Sequence, residues 1–227
     1  KYTINEFITA LIDVGIQKND IIHIHGKLFK LGILENANNI NTYYNSFYDS
    51  YFSVIGNNGS IIVGTYTTNC GRFGDPFVYE DTYCINGGFN EYILKRGDSL
   101  RSHHPINSFT TVGSKKNELC SNNGNSNYGL NSPVGKFVDL GAKLLFVGDD
   151  YSNSVLIHYI EQNYSLPYCY NKILDIPFYK NNKLIKNIFT ANVRYLNLNI
   201  ETDFKKIKSI LYDRKLVNSV KLGDGYL

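Results

Sequence analysis

The sequence has little excess charge of either sign. Its 227 residues include 23 Lys and Arg against 20 Asp and Glu, which gives a formal net charge of +3. No arginine-rich helix or basic tail is present, so the pattern does not resemble the electrostatic footprint of a nucleic-acid-binding protein. We therefore expect no nucleic-acid partner.

Long hydrophobic runs are lacking as well. Stretches such as KLLFVG (143–148) are far shorter than the roughly 20 apolar residues that cross a bilayer. The first residues, KYTINEF, do not show the basic and apolar regions of a secretory signal. These observations predict a soluble, cytoplasmic protein with no membrane partner.

Cysteine is sparse, and its spacing is irregular. No CxxC pair occurs among Cys70, Cys84, Cys120 and Cys169. Neither zinc-finger spacing nor an HExxH motif is found, and both are common signs of a zinc site. We predict free thiols and no bound metal.

The residues that are present predict a folded α/β domain. Hydrophobic residues make up 43% of the chain, and a chain of this length buries on the order of 70% of its unfolded surface. Amphipathic helices are predicted after the capping box of Thr3 and Glu6, over 44–55, and over 203–214. A strand is predicted within DIIHIHG (20–26), with Ile22 and Ile24 on one face and His23 and His25 on the other. Buried strands are predicted within SIIVGTY (60–66) and KLLFVG. Their alternation indicates one domain over 1–227, with a mixed central sheet flanked by helices.

Two segments show no regular periodicity. They are residues 69–88, which are rich in glycine and aromatic residues, and residues 121–133, which are rich in asparagine. Long ordered loops in a compact domain often form binding sites. Both segments are therefore candidates for the walls of a pocket, although a surface excursion would produce the same pattern.

The segment SVLIHYIEQ (154–162) places a histidine and a glutamate three residues apart. A helix over 152–164 would have an apolar stripe formed by Val155, Leu156, Tyr159 and Ile160. His158 and Glu161 would be neighbours on another face, where the carboxylate can hold one tautomer of the imidazole. Such an imidazole is a competent general base, but the spacing also fits a hydrogen-bonded histidine without a catalytic role.

Five segments together resemble the aminoglycoside 3-N-acetyltransferase family. In chain order these segments are IIHIHGKLFKLG (21–32), GTYTTNCGRFGDP (64–76), GGFNEYILKRGDSLRSHHPINSFTTVG (87–113), GLNSPVGKFVDLGAKLLFVG (129–148) and SNSVLIHYIEQ (152–162). The resemblance implies the antibiotic N-acetyltransferase fold, which differs from the GNAT fold. It also implies acetyl transfer from acetyl-CoA to an amine of an amino sugar.

The same resemblance implies roles for individual residues. His158, Glu161 and His104 are the implied catalytic residues, and Tyr66, Asp75 and Glu91 are implied to bind the acceptor. Seven residues are implied to bind the cofactor, namely His25, Gly26, Lys27, Leu28, Ser108, Ser132 and Pro133. The implied partners are acetyl-CoA and a small-molecule amine, with no metal, in a monomer or homodimer.

Several departures from the family pattern leave alternatives open. Gly26 and Lys27 stand where the family usually has two serines, so contacts with the cofactor would differ there. The chain is also shorter than typical drug-modifying members, and its net charge of +3 does not suit a polycationic substrate. A nucleotide-linked amino sugar for surface polysaccharide is therefore an alternative acceptor. His104 and Asp75 also fit purely structural turns beside a proline. Two other functions remain open, a metal-dependent hydrolase and a non-catalytic carbohydrate-binding protein.

Overall fold

A computed structural model describes residues 1–227, apart from the side chain of Asn153. The chain forms two compact units. The first unit comprises Lys1–Ile61, Lys143–Ser154 and Glu201–Leu227, and the second comprises Ile62–Ala142 and Val155–Ile200. The expected single functional domain over 1–227 stays a prediction.

Helices and strands alternate along the described residues. The eight α-helices are α1 (Ile4–Asp13), α2 (Ile40–Ile55), α3 (Thr68–Phe73), α4 (Gly88–Leu94), α5 (Lys116–Cys120), α6 (Pro133–Asp139), α7 (Leu156–Asn163) and α8 (Phe204–Asp213). Short 3-10 helices span Leu28–Leu31, Tyr151–Asn153 and Leu196–Leu198. No helix in the described part of the chain combines the length and apolar character needed to cross a membrane.

The described strands number twelve, and they pair in both orientations. They are β1 (Ile21–Gly26), β2 (Ser60–Gly64), β3 (Phe77–Val78), β4 (Leu100–Arg101), β5 (Phe109–Gly113), β6 (Lys143–Val147), β7 (Cys169–Leu174), β8 (Phe178–Lys180), β9 (Lys183–Ile185), β10 (Phe189–Arg194), β11 (Lys221–Leu222) and β12 (Gly225–Tyr226). The predicted α/β class with mixed pairing is confirmed.

Helix α1 begins where the sequence predicts it. The Thr3 hydroxyl accepts a hydrogen bond from the Glu6 N–H, and the Glu6 carboxylate accepts one from the Thr3 N–H, which completes the capping box. The Phe7 ring then meets the Phe47 ring edge-on, with the centroids 4.7 Å apart. The predicted helix over 44–55 is confirmed as part of α2, and it ends at Gly56, whose φ of 67° favours glycine.

Strands β1 and β6 form a parallel pair in the first unit. Ile22 lies opposite Lys143 and Gly26 opposite Val147. Ile22 and Ile24 share one face of β1, as predicted, and both are buried, as is His23 on the opposite face. Burial on both faces is the usual state of a parallel strand within a sheet. The predicted burial of β6 is only partly confirmed, because Leu145 and Val147 are buried but Leu144 is 37% exposed.

The second unit contains several smaller pairings. Strands β4 and β5 are antiparallel, as are β7 and β10, while β3 pairs in parallel with β8. A buried cluster fills the space beside β3, β8 and β10. It consists of Cys70, Phe77, Leu174, Phe178, Phe189 and Ala191.

The prediction of irregular structure over 69–88 is partly wrong. Helix α3 reaches Phe73 and ends at Gly74, whose φ is 75°, and β3 then pairs with β8. The partner of β3 lies about one hundred residues away in the chain, so local periodicity could not reveal this strand. Residues 121–132 contain no helix or named strand among the described residues, which agrees with the second prediction.

The last predicted helix is confirmed as α8. The Asp203 carboxylate accepts a hydrogen bond from the Lys206 N–H at the start of the helix. Its apolar residues are only partly covered, however, and Ile210 is 41% exposed. The sequence therefore determined the position of α8, whose apolar face is only partly buried.

Candidate active site

Helix α7 is shorter than predicted, and a different face is buried. The predicted start at residue 152 is wrong, because Ser154 has an extended ψ of 122° and separates the 3-10 helix from α7. Ile160, expected on the buried apolar stripe, is 45% exposed, whereas Glu161 is 4% exposed. The predicted stripe is therefore partly wrong: Val155 is buried, but Ile160 is not, because α7 turns the carboxylate of Glu161 inward, where polar partners surround it.

Glu161 hydrogen-bonds the ring of His158, as the spacing predicts. Glu161 Oε2 lies 2.8 Å from His158 Nδ1. The His158 side chain is 42% exposed, and no described residue hydrogen-bonds its Nε2. A carboxylate at Nδ1 favours the tautomer with the proton on that nitrogen, which leaves Nε2 as a proton acceptor.

Arg194, at the end of β10, is the second partner of Glu161. Its Nε and Nη2 atoms donate to Glu161 Oε1 over 2.9 and 2.5 Å. Burial alone would raise the pKa of the Glu161 carboxyl, but hydrogen bonds from Arg194 and His158 outweigh burial and lower the pKa below its usual value. Glu161 therefore remains an anion that can accept a hydrogen bond from His158 Nδ1–H.

Tyr128 packs against the ring of His158. Its ring stacks on the His158 ring, with centroids 5.4 Å apart and planes 26° apart, and Tyr128 is 5% exposed. Two residues of α7 hold the segment that carries it. Gln162 Nε2 donates to Ser126 Oγ over 2.6 Å, and Asn163 Nδ2 donates to the Tyr128 carbonyl over 3.1 Å. The asparagine-rich segment thus forms a wall beside His158.

Sequence reasoning did not find Arg194 or Tyr128 as site residues. Arg194 lies 33 residues after Glu161 in a strand with no recognisable motif, and Tyr128 is one of 19 tyrosines. The only signal in the sequence was the expectation that residues 121–133 wall a pocket. Both residues become visible only through the tertiary contacts.

His104 has a different environment from His158. It is 3% exposed. Its Nε2 lies 3.1 Å from the Thr190 carbonyl, and its Nδ1 accepts the backbone N–H of Asn107 over 3.1 Å. Burial lowers its pKa to about 4, although the Thr190 hydrogen bond acts in the opposite direction. Both ring nitrogens are engaged, which favours the structural alternative for this histidine.

His104 supports the wall that carries Tyr128. The Thr190 carbonyl accepts a hydrogen bond from His104 Nε2, and it also accepts one from the Asn127 N–H over 3.1 Å. Asn127 Oδ1 in turn accepts the Asn192 N–H over 2.9 Å. This network fixes the asparagine-rich segment against β10, one residue before the tyrosine that stacks on His158.

The predicted cofactor residues of the second unit are largely buried. Ser108 Oγ donates to the Thr65 carbonyl over 2.6 Å and accepts from Arg101 Nε over 2.9 Å. Ser132 Oγ caps α6 by accepting the Gly135 N–H, and Pro133 occupies the first turn. A Cβ at Gly135 would lie 2.0 Å from the Leu130 carbonyl oxygen, so this turn requires glycine. The side chains shape the turn, and their cofactor role stays a prediction.

The predicted acceptor residues have mixed surroundings. Glu91 accepts the Cys84 N–H over 2.9 Å and forms an ion pair with Lys95 at 3.0 Å. The Tyr66 ring packs edge-on against Phe109, with centroids 5.4 Å apart, and burial raises its pKa well above the usual value. Asp75 is exposed. Glu91 and Tyr66 thus have internal partners, and Asp75 keeps an exposed position.

The predicted cofactor residues of the first unit lie at the end of β1 and directly after it. Lys27 Nζ lies 2.8 Å from Asp149 Oδ1, and the two side chains are 39% and 7% exposed. The His25 ring stacks on Phe146, with centroids 4.8 Å apart. Burial lowers the His25 pKa to about 4, although Asp149 acts in the opposite direction. Gly26 ends β1 opposite Val147, and Leu28 is buried in the following 3-10 helix.

No metal site is evident in the described part of the chain. The His, Cys, Asp and Glu side chains described do not form a group of three or more that could hold an ion. All four cysteines are free. The hydrolase alternative therefore gains no support from a set of ligands.

A model of the family described as Aminoglycoside 3-N-acetyltransferase matches residues 23–227. Comparison with curated protein sequences gave no match. Among solved structures, AAC-IIIb in a binary complex with CoASH has a TM-score of 0.81 and 18% identity, covering 99% of this chain and 89% of that one. The YokD protein from Bacillus subtilis has a TM-score of 0.78 and 17% identity, covering 100% and 92%.

Sisomicin-bound AAC-VIa is similar to a comparable degree. Its TM-score is 0.81 at 17% identity, with 99% of this chain and 91% of that chain covered. At such low identity these likenesses show the fold, and they confirm the predicted antibiotic N-acetyltransferase-like architecture.

Proposed function

Because the chain belongs to the aminoglycoside 3-N-acetyltransferase family, we propose that it transfers an acetyl group from acetyl-CoA to a primary amine of an amino sugar or aminoglycoside. The observation that carries the proposal is the His158–Glu161 pair. Its Nδ1–Oε2 distance is 2.8 Å, and the opposite ring nitrogen belongs to a side chain that is 42% exposed. This is the geometry of an oriented general base.

The thioester of acetyl-CoA supplies an acyl group that is already activated. His158 accepts a proton at Nε2 as the amine nitrogen bonds to the acetyl carbonyl carbon. Glu161 stabilises the resulting imidazolium through Nδ1–H. His158 then returns the proton to the sulfur as the carbon–sulfur bond breaks, so the products are an amide and the free thiol. A base of this kind contributes roughly a hundredfold to ten-thousandfold in rate.

Binding of CoA is assigned to the residues that match the family pattern. His25 and Gly26 end β1, and Lys27 and Leu28 follow it. The Lys27 ammonium, which is paired with Asp149 at 2.8 Å, has the charge that suits the phosphates of CoA. A Cβ at Gly148 would lie 2.7 Å from the Lys27 carbonyl oxygen, so the backbone of residue 148 packs closely against that of Lys27. In the second unit, the residues that match the family pattern are Ser108, Ser132 and Pro133, and both serine side chains are buried.

The ion pairs of the predicted site residues favour an acceptor that is less cationic than an aminoglycoside. Glu161 is paired with Arg194 at 2.5 Å, and the predicted acceptor residue Glu91 is paired with Lys95 at 3.0 Å. A polycationic substrate requires a cleft with excess negative charge. The exposed Asp75 remains to bind one amine. We therefore favour a nucleotide-linked amino sugar of surface polysaccharide biosynthesis as the acceptor.

Two measurements test this function. Titration with CoA should raise the melting temperature by an amount that grows with the logarithm of ligand excess, and a non-catalytic carbohydrate-binding protein would show no such shift. Thiol release from acetyl-CoA is then compared between gentamicin-type amines and aminodeoxy nucleotide sugars. A higher kcat/KM for the antibiotics would reverse the choice of acceptor, and no release with any amine would contradict the function itself.

A further inference from the structure

We infer that Arg194 is a positioning residue for acetyl transfer, acting through Glu161 to orient His158. This inference rests on the proposed function. Arg194 approaches only one oxygen of the Glu161 carboxylate, through Nε at 2.9 Å and Nη2 at 2.5 Å from Oε1. Oε2 is left to His158 Nδ1 at 2.8 Å. Oε1 also accepts a longer hydrogen bond from the Tyr168 hydroxyl, over 3.4 Å. The two oxygens therefore have different partners, and the carboxylate cannot rotate without losing some of them.

Arg194 is itself held from several sides. Its Nη1 donates to the Ile200 carbonyl over 3.3 Å, and its guanidinium lies 6.0 Å from the centre of the Tyr168 ring. In the backbone, Arg194 lies opposite Cys169 in the β7–β10 pair. Side chains on paired strands hold their geometry better than side chains on loops, so β10 provides a rigid support for the carboxylate.

Glu161 needs this support because it is 4% exposed. Burial disfavours a carboxylate that lacks a cationic partner. A protonated Glu161 could donate a hydrogen bond to His158 Nδ1, and the ring would then carry its proton on the nitrogen that must act as the base. Arg194 keeps Glu161 an acceptor and therefore keeps Nε2 free for the amine proton.

The test uses Arg194→Met, Arg194→Lys and the double variant Arg194→Met/Glu161→Gln in the full chain. Arg194→Met should lower kcat by about tenfold to a hundredfold, a typical effect of removing a residue that orients a catalytic partner. The KM for the amine should change by less than about threefold, because Arg194 does not bind substrate. Arg194→Lys should retain part of the kcat that Arg194→Met loses, since lysine keeps the positive charge but cannot place two N–H donors on the carboxylate as the guanidinium does.

Two further readouts separate positioning from general stability. In the Glu161→Gln background, Arg194→Met should lower kcat by less than about threefold, because the two substitutions disrupt the same Arg194–Glu161 interaction. The midpoint of the Glu161 carboxyl titration, followed by 13C NMR, should shift to higher pH in Arg194→Met, because the carboxylate loses its cationic partner. The control is Arg214→Met, at an exposed arginine that ends α8, which should alter neither measurement.

The inference is overturned if Arg194→Met keeps its kcat or leaves the Glu161 titration unchanged. It is also overturned if the losses from Arg194→Met and Glu161→Gln simply multiply. If Arg194→Met fails to fold, Arg194→Gln replaces it, since it also removes the charge, and the same two criteria apply to it. Failure of the proposed function would look different, because wild-type protein would then release no thiol with any amine while the carboxyl titration still reported on the Arg194–Glu161 pair.

Discussion

His158 and His104 lie in the same compact unit but have opposite surroundings. His158 is half-exposed, with a carboxylate at Nδ1 and a stacked tyrosine. His104 is buried, with a carbonyl at Nε2 and a backbone N–H at Nδ1. A base needs one free nitrogen that can reach its substrate, and only His158 has it. The comparison shows that the partners of a histidine, more than its place in a motif, indicate its role.

The strongest test of this contrast is His158→Ala. We expect kcat to fall by at least about a hundredfold, with CoA binding nearly intact and the melting temperature little changed, because the ring is half-exposed. Steady-state kinetics and a CoA thermal shift measure the two effects. Retained activity together with a marked loss of stability would reverse the comparison and make His104 the next candidate base.

His104→Asn should show the complementary result, a change in the pH dependence of stability. The folded pKa of His104 is about 4, below its unfolded value of roughly 6.5. Above pH 6.5 the group is neutral in both states and its contribution to stability is complete. Between pH 6.5 and 4 only the unfolded state binds the proton, so the contribution falls by about 3 kcal/mol in total.

Urea unfolding at pH 7, 6 and 5 measures this effect. The free energy of unfolding should depend less steeply on pH in His104→Asn than in the wild type, by up to about 1.4 kcal/mol per pH unit. At pH 7 the variant should be less stable by about 2 kcal/mol, because the buried Asn107 and Thr190 backbone groups lose well-placed partners. Equal slopes in the two proteins would show that His104 titrates normally.

Glu161→Gln sharpens the account of His158. The amide keeps the shape of the side chain but removes the charge that stabilises the imidazolium, so we expect kcat to fall by about tenfold, less than in His158→Ala. Glu118→Gln is the matched control, because the Glu118 side chain is 50% exposed in a surface ion pair and should not affect kcat. A loss from Glu161→Gln as large as that from His158→Ala would mean that the carboxylate is itself essential.

The smallest effect is expected from Tyr128→Leu. An aromatic stack contributes about 0.5–1.5 kcal/mol, so loss of the tyrosine ring beside His158 should lower kcat by roughly threefold to tenfold. Tyr128→Phe keeps the stack and is the internal control. If both variants lower kcat equally, the tyrosine hydroxyl rather than the ring face is what matters.

Much of the local structure followed from the sequence. The capping box of α1, the glycine at the end of α2, the β1 and β6 strands and the position of α8 were all predicted, because each depends on residues close together in the chain. The spacing of His158 and Glu161 predicted their hydrogen bond for the same reason. Segment 69–88 was partly mispredicted because the partner of β3 is distant in the chain.

The sequence by itself determined the family, the class of fold and the pairing of His158 with Glu161, since motifs and helical spacing are local properties. Tertiary structure alone decided which face of α7 is buried, because that depends on Arg194 arriving from β10 to neutralise Glu161. It also decided that His104 is enclosed by the backbone while His158 stays half-exposed. Burial and partner identity arise from residues far apart in the chain, and local periodicity does not report them.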